Sequence, residues 1–313
     1  MTFLSDTPLT SVLQLGASLY MPATRADLLA VIAHHKIPDL RSVILCLEDA
    51  VQLADMPKAM ANIGRLLAEL NDTPKRLWVF IRPRNVTNLA QLLALADIGN
   101  IDGFVLPKFD VSNADTYQQL LAGVDKLWLM PTLETAQIFD GECQRELCAR
   151  LQSFNNILAL RVGGNDLLNC LHLRRPFTGT IYETPLHSLL GQLCARFLPA
   201  GFALTAPVFE HFNQLEDLAQ ELVTDINYGF AGKTIIHPKQ ITTVHNAYKV
   251  SIREWEQAQA IVAPNAKAVF AQAGSMLEPA THRHWATKII LRGQLFGVRT
   301  ECTPNGNASP NFL

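Results

Sequence analysis

The amino-acid sequence predicts an α/β fold: a (β/α)8 TIM barrel followed by a C-terminal helical arm. Apolar runs of strand length alternate with segments of helical periodicity, eight times over about 240 residues, close to the ~250 residues that such barrels take. The runs are nearly continuous in apolar character, as parallel strands buried on both faces are. No G-x-G-x-x-G turn follows an early strand, although a doubly wound nucleotide-binding sheet would require one.

The predicted elements follow one another as strand and helix. The eight strands are Leu15–Met21, Val43–Leu47, Leu77–Arg82, Gly103–Lys108, Leu127–Leu133, Ile157–Val162, Phe202–Phe209 and Thr234–His237. Apolar residues spaced three and four apart predict the helices that follow them. These are Arg25–His35, Asp55–Leu70, Asn88–Ala96, Asp115–Leu121, Ala136–Gln152, Pro185–Phe197, Gln214–Ile226 and Pro238–Gln259.

The strand pattern stops near Ala263, so we expect three parts: a barrel, an arm and a flexible tail, at residues 1–263, 264–299 and 300–313. The tail is rich in Asn, Pro, Ser and Gly, as loose chain ends often are. Two helices are predicted in the arm, at Ala266–Ala273 and Thr281–Leu291. The arm is too short for a domain, yet it carries large apolar side chains. We therefore expect it to pack on its own barrel or on a neighbouring subunit.

The amino-acid composition excludes several classes of function. Hydrophobic residues make up 49% and charged residues 17%, so the chain buries a large core and global disorder is excluded. The net charge of −2 provides no general attraction to nucleic acid or anionic membranes. No apolar run approaches the ~18 residues of a membrane span, and the first residues lack signal-peptide features. The six cysteines show no C-x-x-C spacing, so we expect reduced thiols in a cytoplasmic protein without nucleic-acid or membrane partners.

Charged and polar side chains follow most predicted strands at their carboxyl ends, where barrel enzymes place their active sites. From strand two to strand eight they are Glu48-Asp49, Arg82, Lys108, Glu134, Asn165-Asp166, Glu210 and His237. Hydrophobic patterning alone does not bring carboxylates and cations to one rim. The set therefore indicates a functional site there.

Glu134 and Asp166 follow adjacent strands, which can aim both carboxylates at one hard cation. Mg²⁺ is typically held by one or two carboxylates, with water and substrate oxygens as its other ligands. The alternative is that each carboxylate caps or balances the helix that follows it. Gly163-Gly164 permits a close backbone approach to a ligand or another loop, so Gly164 and Asn165 are candidate substrate-binding residues.

Arg82 follows a buried apolar run, and its planar guanidinium suits a substrate carboxylate or a developing enolate oxygen. A structural ion pair with Glu48 is the alternative. Lys108 is a second candidate substrate-binding cation, although a lysine at a strand end often simply reaches solvent. His237 is either an acid/base group or a rim histidine with a structural role, and we favour the structural role.

Five segments carry a resemblance to a known family: LEDAV at 47–51, LPK at 106–108, P-x-x-ET at 131–135, GGNDL at 163–167 and GFAGKTIIHPKQI at 229–241. They resemble the citrate lyase beta-subunit and malyl-CoA lyase group of the HpcH/HpaI aldolase superfamily, whose members are TIM barrels. The resemblance covers nearly the whole barrel and the arm. It implies that Glu134 and Asp166 hold Mg²⁺ and that Arg82 binds the carboxylate or enolate. LGASLYMPATR and CLEDA also look like a branch of carbon–carbon bond lyases associated with bacterial tellurium-resistance gene clusters.

Three motifs depart from the pattern of that family. Cys46 replaces the first aspartate of D-L-E-D, Pro22-Ala23-Thr24 replaces P-G-(S/N), and Met276-Leu277-Glu278-Pro279 replaces M-(I/V)-D-x-P. In the related lyases the arm reaches over the barrel mouth of an adjacent subunit, and the aspartate of the last motif handles the proton of the enolate. The resemblance therefore implies a homo-oligomer, a trimer or hexamer with arm exchange, and Glu278 as a catalytic residue. The alternative is that Glu278 merely starts the final helix.

The residues and the resemblance together predict a Mg²⁺-dependent lyase that cleaves or forms a carbon–carbon bond next to a carbonyl. We expect a hydroxy acid, or its CoA-type thioester, as the small-molecule partner. Arg82 would hold its carboxylate, while Glu48 and Asp49 would support the site through neighbouring groups and ordered water. Two alternatives stay open: a non-catalytic barrel that binds an acyl thioester or serves as a complex subunit, and a lyase of free phosphoenolpyruvate-like acids.

Overall fold

The computed structural model describes residues 8–299, and within them eight parallel strands form the predicted (β/α)8 barrel. The strands are β1 (Ala17–Pro22), β2 (Ser42–Cys46), β3 (Trp78–Arg82), β4 (Gly103–Leu106), β5 (Trp128–Leu133), β6 (Leu160–Val162), β7 (Leu204–Thr205) and β8 (Lys233–Ile235). Their order in the sheet is β7-β6-β5-β4-β3-β2-β1-β8. A parallel bridge between Ala206 and Lys233 joins the two ends of that order. The predicted fold is thereby confirmed.

Helices precede β1, connect the barrel strands and follow β8. They are α1 (Pro8–Leu15), α2 (Leu28–Ile32), α3 (Met56–Asp72), α4 (Val86–Leu93), α5 (Ala114–Leu120), α6 (Gly141–Leu151), α7 (Gly164–Cys170), α8 (Leu186–Phe197), α9 (Leu215–Tyr228) and α10 (Gln240–Tyr248). Asn85 begins α4 by accepting a hydrogen bond from the Asn88 N–H, and Asp140 caps α6 in the same way. The short α7 follows β6 directly, so it brings its first turn to the carboxyl end of the barrel.

A buried ionic cluster stabilises the segment between α7 and α8. Glu221 of α9 accepts hydrogen bonds from Arg175 at 2.5 Å and from Lys233 of β8 at 2.6 Å. Lys233 also donates to Asp225 at 2.8 Å, and Tyr182 donates to the other oxygen of Asp225 at 2.7 Å. The side chains of the two ion-paired cations and both carboxylates are fully buried. Since each charge in the cluster has an opposite partner, the cluster fixes this segment against β8 and α9.

The chain divides into two compact units, Met1–Ala247 and Tyr248–Leu313. The second contains β9 (Val250–Ser251), α11 (Ile252–Val262), β10 (Phe270–Gln272), β11 (Ser275–Leu277), α12 (Pro279–Phe296) and β12 (Val298–Arg299). Its core includes Ile261 of α11 and Ile289 of α12. Because α11 belongs to this unit, the division lies before the boundary that we expected at residue 263.

Two predicted helices differ from the structure. Pro238–Gln259 is interrupted at Val250–Ser251, which pairs with β12, and Ser251 then caps α11 through a reciprocal contact with Glu254. The predicted helix Ala266–Ala273 is wrong, because β10 and β11 form an antiparallel hairpin in this region. Its turn has positive φ at both central residues, Ala273 (+49°) and Gly274 (+76°), a geometry that matches the twist of two paired strands.

The second arm helix is confirmed as α12, which is longer than the sequence predicted. The expected tail at 300–313 and the first seven residues lie outside the described residues. Among residues 8–299, no helix is both long and apolar enough to cross a membrane.

Candidate active site

The carboxyl ends of the barrel strands surround a cavity of about 280 Å³, large enough for a small molecule. Strands β1, β2, β3, β5, β6 and β8, with the loops after them, contribute its walls. Its polar lining consists of Tyr20, Glu48, Asp49, Arg82, Thr132, Glu134, Arg161, Asn165, Asp166 and Thr234. The rim predicted from the strand ends is therefore the place where polar groups gather.

Arg82, the last residue of β3, lies at the centre of this cavity wall. Its Nε donates to Glu48 Oε2 at 2.5 Å, and its Nη2 donates to Glu134 Oε1 at 2.8 Å. Nη1 makes a longer hydrogen bond, 3.3 Å, to the hydroxyl of Tyr20. Burial opposes the charge of the guanidinium, but Tyr20, Glu134 and Glu48 outweigh it and hold the pKa of Arg82 well above its ordinary value. The arginine is thus fixed and charged, and Nη1 is the donor that is most easily transferred to a ligand.

Lys108 holds the two glutamates that bind Arg82. Its Nζ donates to Glu48 Oε1 at 2.6 Å and lies 3.8 Å from Asp49. Its backbone N–H donates to Glu134 Oε1 at 2.8 Å. Lys108 has a φ of +47°, a left-handed conformation that is unusual for a residue with a Cβ. This local strain turns the N–H towards Glu134, as strained backbone at functional sites often does.

Glu134 follows β5 and is almost fully buried between Lys108 and Gly163. A Cβ on Gly163 would lie 2.2 Å from Glu134 Oε2, so only glycine leaves room for this carboxylate. Burial, together with the negative charge of Asp166, raises the pKa of Glu134 to about 7 despite the opposing effect of Arg82. Both hydrogen bonds described for this carboxylate go to Oε1, so Oε2 accepts neither of them.

Asp166 lies in the first turn of α7, half-buried at the cavity wall. Its neighbour Asn165 also lines the cavity, but its amide donates to Glu210 at 2.9 Å. Gly164 is buried against Pro207 and Ile181, and a Cβ there would lie 2.7 Å and 2.9 Å from their side chains. Gly164 therefore allows the close packing that places Asp166 beside Glu134.

The structure brings together most of the residues proposed from the sequence, but four lie outside the lining of the cavity. Glu210 accepts hydrogen bonds from Asn165 and Arg174. Lys108 is bound to Glu48 and half-exposed. His237 stacks on Phe212 with 4.6 Å between ring centroids, in agreement with the structural role that we favoured. Glu278 belongs to the second unit, where it precedes α12 and its carboxylate accepts a 3.3 Å hydrogen bond from Thr281.

Sequence reasoning missed the inner part of the cavity, formed by Tyr20, Thr132, Arg161 and Thr234. Arg161 stands within the apolar run LALRVGG, where a charged residue is itself a signal of an interior function. Cys46, the departure from the family motif, also lines the cavity next to Arg82 on the paired strand. Burial raises the pKa of its thiol, so Cys46 is a neutral group in this wall.

Comparison with known proteins identifies relatives over almost the whole chain. The citrate lyase subunit beta of Haemophilus influenzae is 23% identical over 301 residues, which cover 90% of this chain and 98% of that protein. The structure of CitE from Mycobacterium tuberculosis in complex with magnesium, acetoacetate and coenzyme A has a TM-score of 0.66 at 23% identity, covering 90% of this chain and 99% of that one. The citrate lyase beta subunit of the same organism, complexed with oxaloacetate and magnesium, has a TM-score of 0.55 at 21% identity, covering 76% and 99%.

The structural likenesses establish the shared barrel fold, since their sequence identity is low. The family follows from a separate comparison, in which a family model of carbon–carbon bond lyases matches residues 9–298. That match includes every strand of the barrel and both segments that carry the candidate carboxylates. The chain belongs to the family of carbon–carbon bond lyases of the TIM-barrel fold.

Proposed function

We propose that the protein is a Mg²⁺-dependent lyase that breaks or forms a carbon–carbon bond, of the aldol or Claisen type, in a hydroxy acid or a hydroxyacyl-CoA thioester. The observation that carries this proposal is the pair of cavity carboxylates, Glu134 and Asp166, next to the guanidinium of Arg82. The family supports the class of reaction. Relatives bound to magnesium with acetoacetate and coenzyme A, or with oxaloacetate, support the class of substrate.

The residues at the cavity fit Mg²⁺. Four carboxylates line the cavity; Glu48 is bound by Arg82 and Lys108, and Asp49 is largely exposed, which leaves Glu134 and Asp166 for a cation. Mg²⁺ commonly takes one or two carboxylates and completes its octahedron with water and substrate oxygens. Burial and the charge of Asp166 raise the pKa of Glu134, and a cation held by the two carboxylates would favour its ionised form. Glu134 and Asp166 would hold the metal, which when bound acts as a Lewis acid on the keto-acid carbonyl.

The side chains around the metal ligands bind and orient the substrate. Arg82 turns its Nη1 from Tyr20 to the carboxylate of the keto-acid fragment. Glu48 and Lys108 fix the positions of Arg82 and Glu134. Glu48 accepts hydrogen bonds from both Arg82 and Lys108. Rigid placement of these donors lowers the cost of charge that develops on oxygen during cleavage.

Cleavage of the carbon–carbon bond releases one fragment as a carbonyl compound and the other as an enolate. The hydroxyl proton is released to solvent as the carbonyl forms, and the enolate takes up one proton at carbon, so that no net proton is gained or lost. The carboxyl group of Glu278 is our assignment for that second transfer, on the strength of its place in the M-L-E-P motif. Asp49, which is largely exposed at the rim, supports Lys108 electrostatically.

A turnover assay tests the proposal. The chain is supplied with hydroxyacyl thioesters and with free hydroxy acids, each with and without Mg²⁺. We expect Mg²⁺-dependent turnover that Glu134→Gln and Asp166→Asn abolish, while Glu142→Gln, an exposed carboxylate on α6, leaves it unchanged. Circular dichroism checks that each variant folds. Binding of thioesters without turnover would favour a non-catalytic barrel or complex subunit, and turnover of phosphoenolpyruvate-like acids alone would favour the other alternative.

A further inference from the structure

Arg161 lies inside the barrel, below the carboxylates assigned to Mg²⁺. It is the middle residue of β6, it is 2% exposed, and its side chain lines the cavity. Its Nη2 donates to the hydroxyl of Thr234 on β8 at 2.5 Å, and Nη1 contacts the sulfur of Met130 at 3.8 Å. The ring of Tyr20 lies 5.6 Å from its guanidinium carbon and 5.9 Å from that of Arg82. Two arginines thus flank one aromatic ring in the cavity.

The two arginines differ in how their charges are compensated. Arg82 pairs with two glutamates, whereas Arg161 forms no ion pair with any carboxylate among residues 8–299. Burial lowers the pKa of Arg161, although Tyr20 and Glu134 act in the opposite direction. An arginine nevertheless stays protonated in proteins. A buried cation that no carboxylate balances is costly unless another group compensates it.

Two hydroxyl groups beside Arg161 also have no partner. Thr132 on β5 and Thr205 on β7 are the residues directly paired with Arg161 on its two neighbouring strands. Each Oγ1 is buried without a hydrogen bond. Residues paired in this way point to the same face of a sheet, so the three side chains form one interior layer. Of the two hydroxyls only that of Thr132 belongs to a residue that lines the cavity, and because buried polar groups are nearly always hydrogen-bonded, Thr132 and Arg161 indicate a bound group with acceptor oxygens.

We propose that Arg161, Tyr20 and Thr132 form a second anion-recognition site at the floor of the cavity, which selects substrates that carry a second carboxylate. The inference rests on the proposed function, in which Arg82 holds the first carboxylate. Thr132 on β5 precedes Glu134 by two residues of extended chain, so the floor lies about 6.6 Å deeper at roughly 3.3 Å per residue. That depth suits the second end of a small dicarboxylic acid, and the cavity of about 280 Å³ has room for one.

Calorimetric titration of the full chain with succinate and butyrate, in the presence of Mg²⁺, tests this site. The two acids share a four-carbon skeleton and differ by one carboxylate. We expect the wild type to prefer succinate by at least about tenfold, as a charge-assisted hydrogen bond predicts. Arg161→Met should reduce the preference to within about twofold. The Tm of Arg161→Met should not fall, because an apolar side chain removes the cost of burying an unbalanced charge. If Arg161 were purely structural, its loss would lower Tm.

Two threonine variants form a matched pair. Thr132 lines the cavity, whereas Thr205, paired with Arg161 on the other side, does not. Thr132→Val should therefore weaken succinate binding by about threefold or more, and Thr205→Val should leave it unchanged. The inference is overturned if the wild type shows no preference, or if the preference persists in folded Arg161→Met. If Arg161→Met does not fold, equal effects of the two threonine variants overturn it.

The same proteins separate this inference from the proposed function. A chain that prefers succinate through Arg161 but turns over no substrate with Mg²⁺ retains the second anion site and loses the proposed reaction. A chain that shows Mg²⁺-dependent turnover, with a substrate preference that Arg161→Met does not alter, retains the reaction and loses the second anion site.

Discussion

Replacement of Glu134 by glutamine measures the cost of the buried carboxylate directly. The pKa of Glu134 rises from 4.5 to about 7 on folding, because of burial and the charge of Asp166. At about 1.4 kcal/mol per pKa unit, ionisation of Glu134 costs roughly 3 kcal/mol more in the folded chain than in the unfolded chain. Between pH 4.5 and 7 only the folded chain holds this proton. The free energy of unfolding of the wild type therefore contains a contribution that is lost as the pH rises through this window.

Urea unfolding of the wild type and Glu134→Gln, from pH 4.5 to 8 in a chelator, is the assay. Glutamine does not titrate, so the stability of the variant relative to the wild type should rise by roughly 3 kcal/mol across this range. Other groups, such as Asp225 with its pKa of about 6, cancel in the difference. Saturating Mg²⁺ should remove the effect, because it stabilises the ionised carboxylate. A difference that stays flat with pH, as expected for the exposed Glu142→Gln, would refute the reasoning.

Three further predictions follow from individual side chains. Arg82→Lys keeps the charge but loses the planar guanidinium, so kcat/KM should fall by at least about 10²-fold. A change of only about threefold would indicate that Arg82 serves as a structural ion pair. Lys233→Met leaves buried Asp225 without its cation and Glu221 with Arg175 alone, so urea unfolding should show a loss of about 3–5 kcal/mol, and a loss below about 1 kcal/mol contradicts this. Cys46 is buried with a raised thiol pKa, so iodoacetamide should label the exposed Cys170 far faster in the native protein. Comparable labelling rates by peptide mass mapping would show that Cys46 is accessible.

The barrel could be predicted because its strands are buried on both faces. All five residues of β2 are buried, for example, and such a run stands out in the sequence as continuously apolar. The helix predictions were wrong where a local feature of the sequence determines the backbone conformation. Helical periodicity continued through Val250–Ser251, although the S-x-x-E spacing of Ser251 and Glu254 marks a new helix start. The hairpin turn at Ala273-Gly274 uses a positive φ at an alanine, which residue type alone does not indicate.

The part of the site that lies at the strand ends could be predicted from the sequence. Glu48, Arg82, Glu134 and Asp166 gather because parallel strands of a barrel end at one rim. The role of Lys108 depends on the left-handed conformation that directs its backbone N–H to Glu134, and no sequence pattern specifies that angle. Arg161 is the middle residue of β6, so the rule that barrel enzymes carry their functional side chains at strand ends does not select it.

Glu278 gives the test of whether active sites are shared between copies of the chain. Its backbone begins α12 and its carboxylate accepts a hydrogen bond from Thr281, so a helix-start role and a proton-transfer role are both compatible with its position. Glu278→Gln and Glu134→Gln should each be inactive alone. If the arm of one copy serves the cavity of another, mixing the two variants under conditions of subunit exchange should restore up to about one quarter of wild-type activity, since half the cavities and half the arms are intact. Mixing Glu134→Gln with the double variant is the control, because no cavity then retains Glu134. No recovery, although mass measurement confirms exchange, would limit Glu278 to its own chain or to the start of α12.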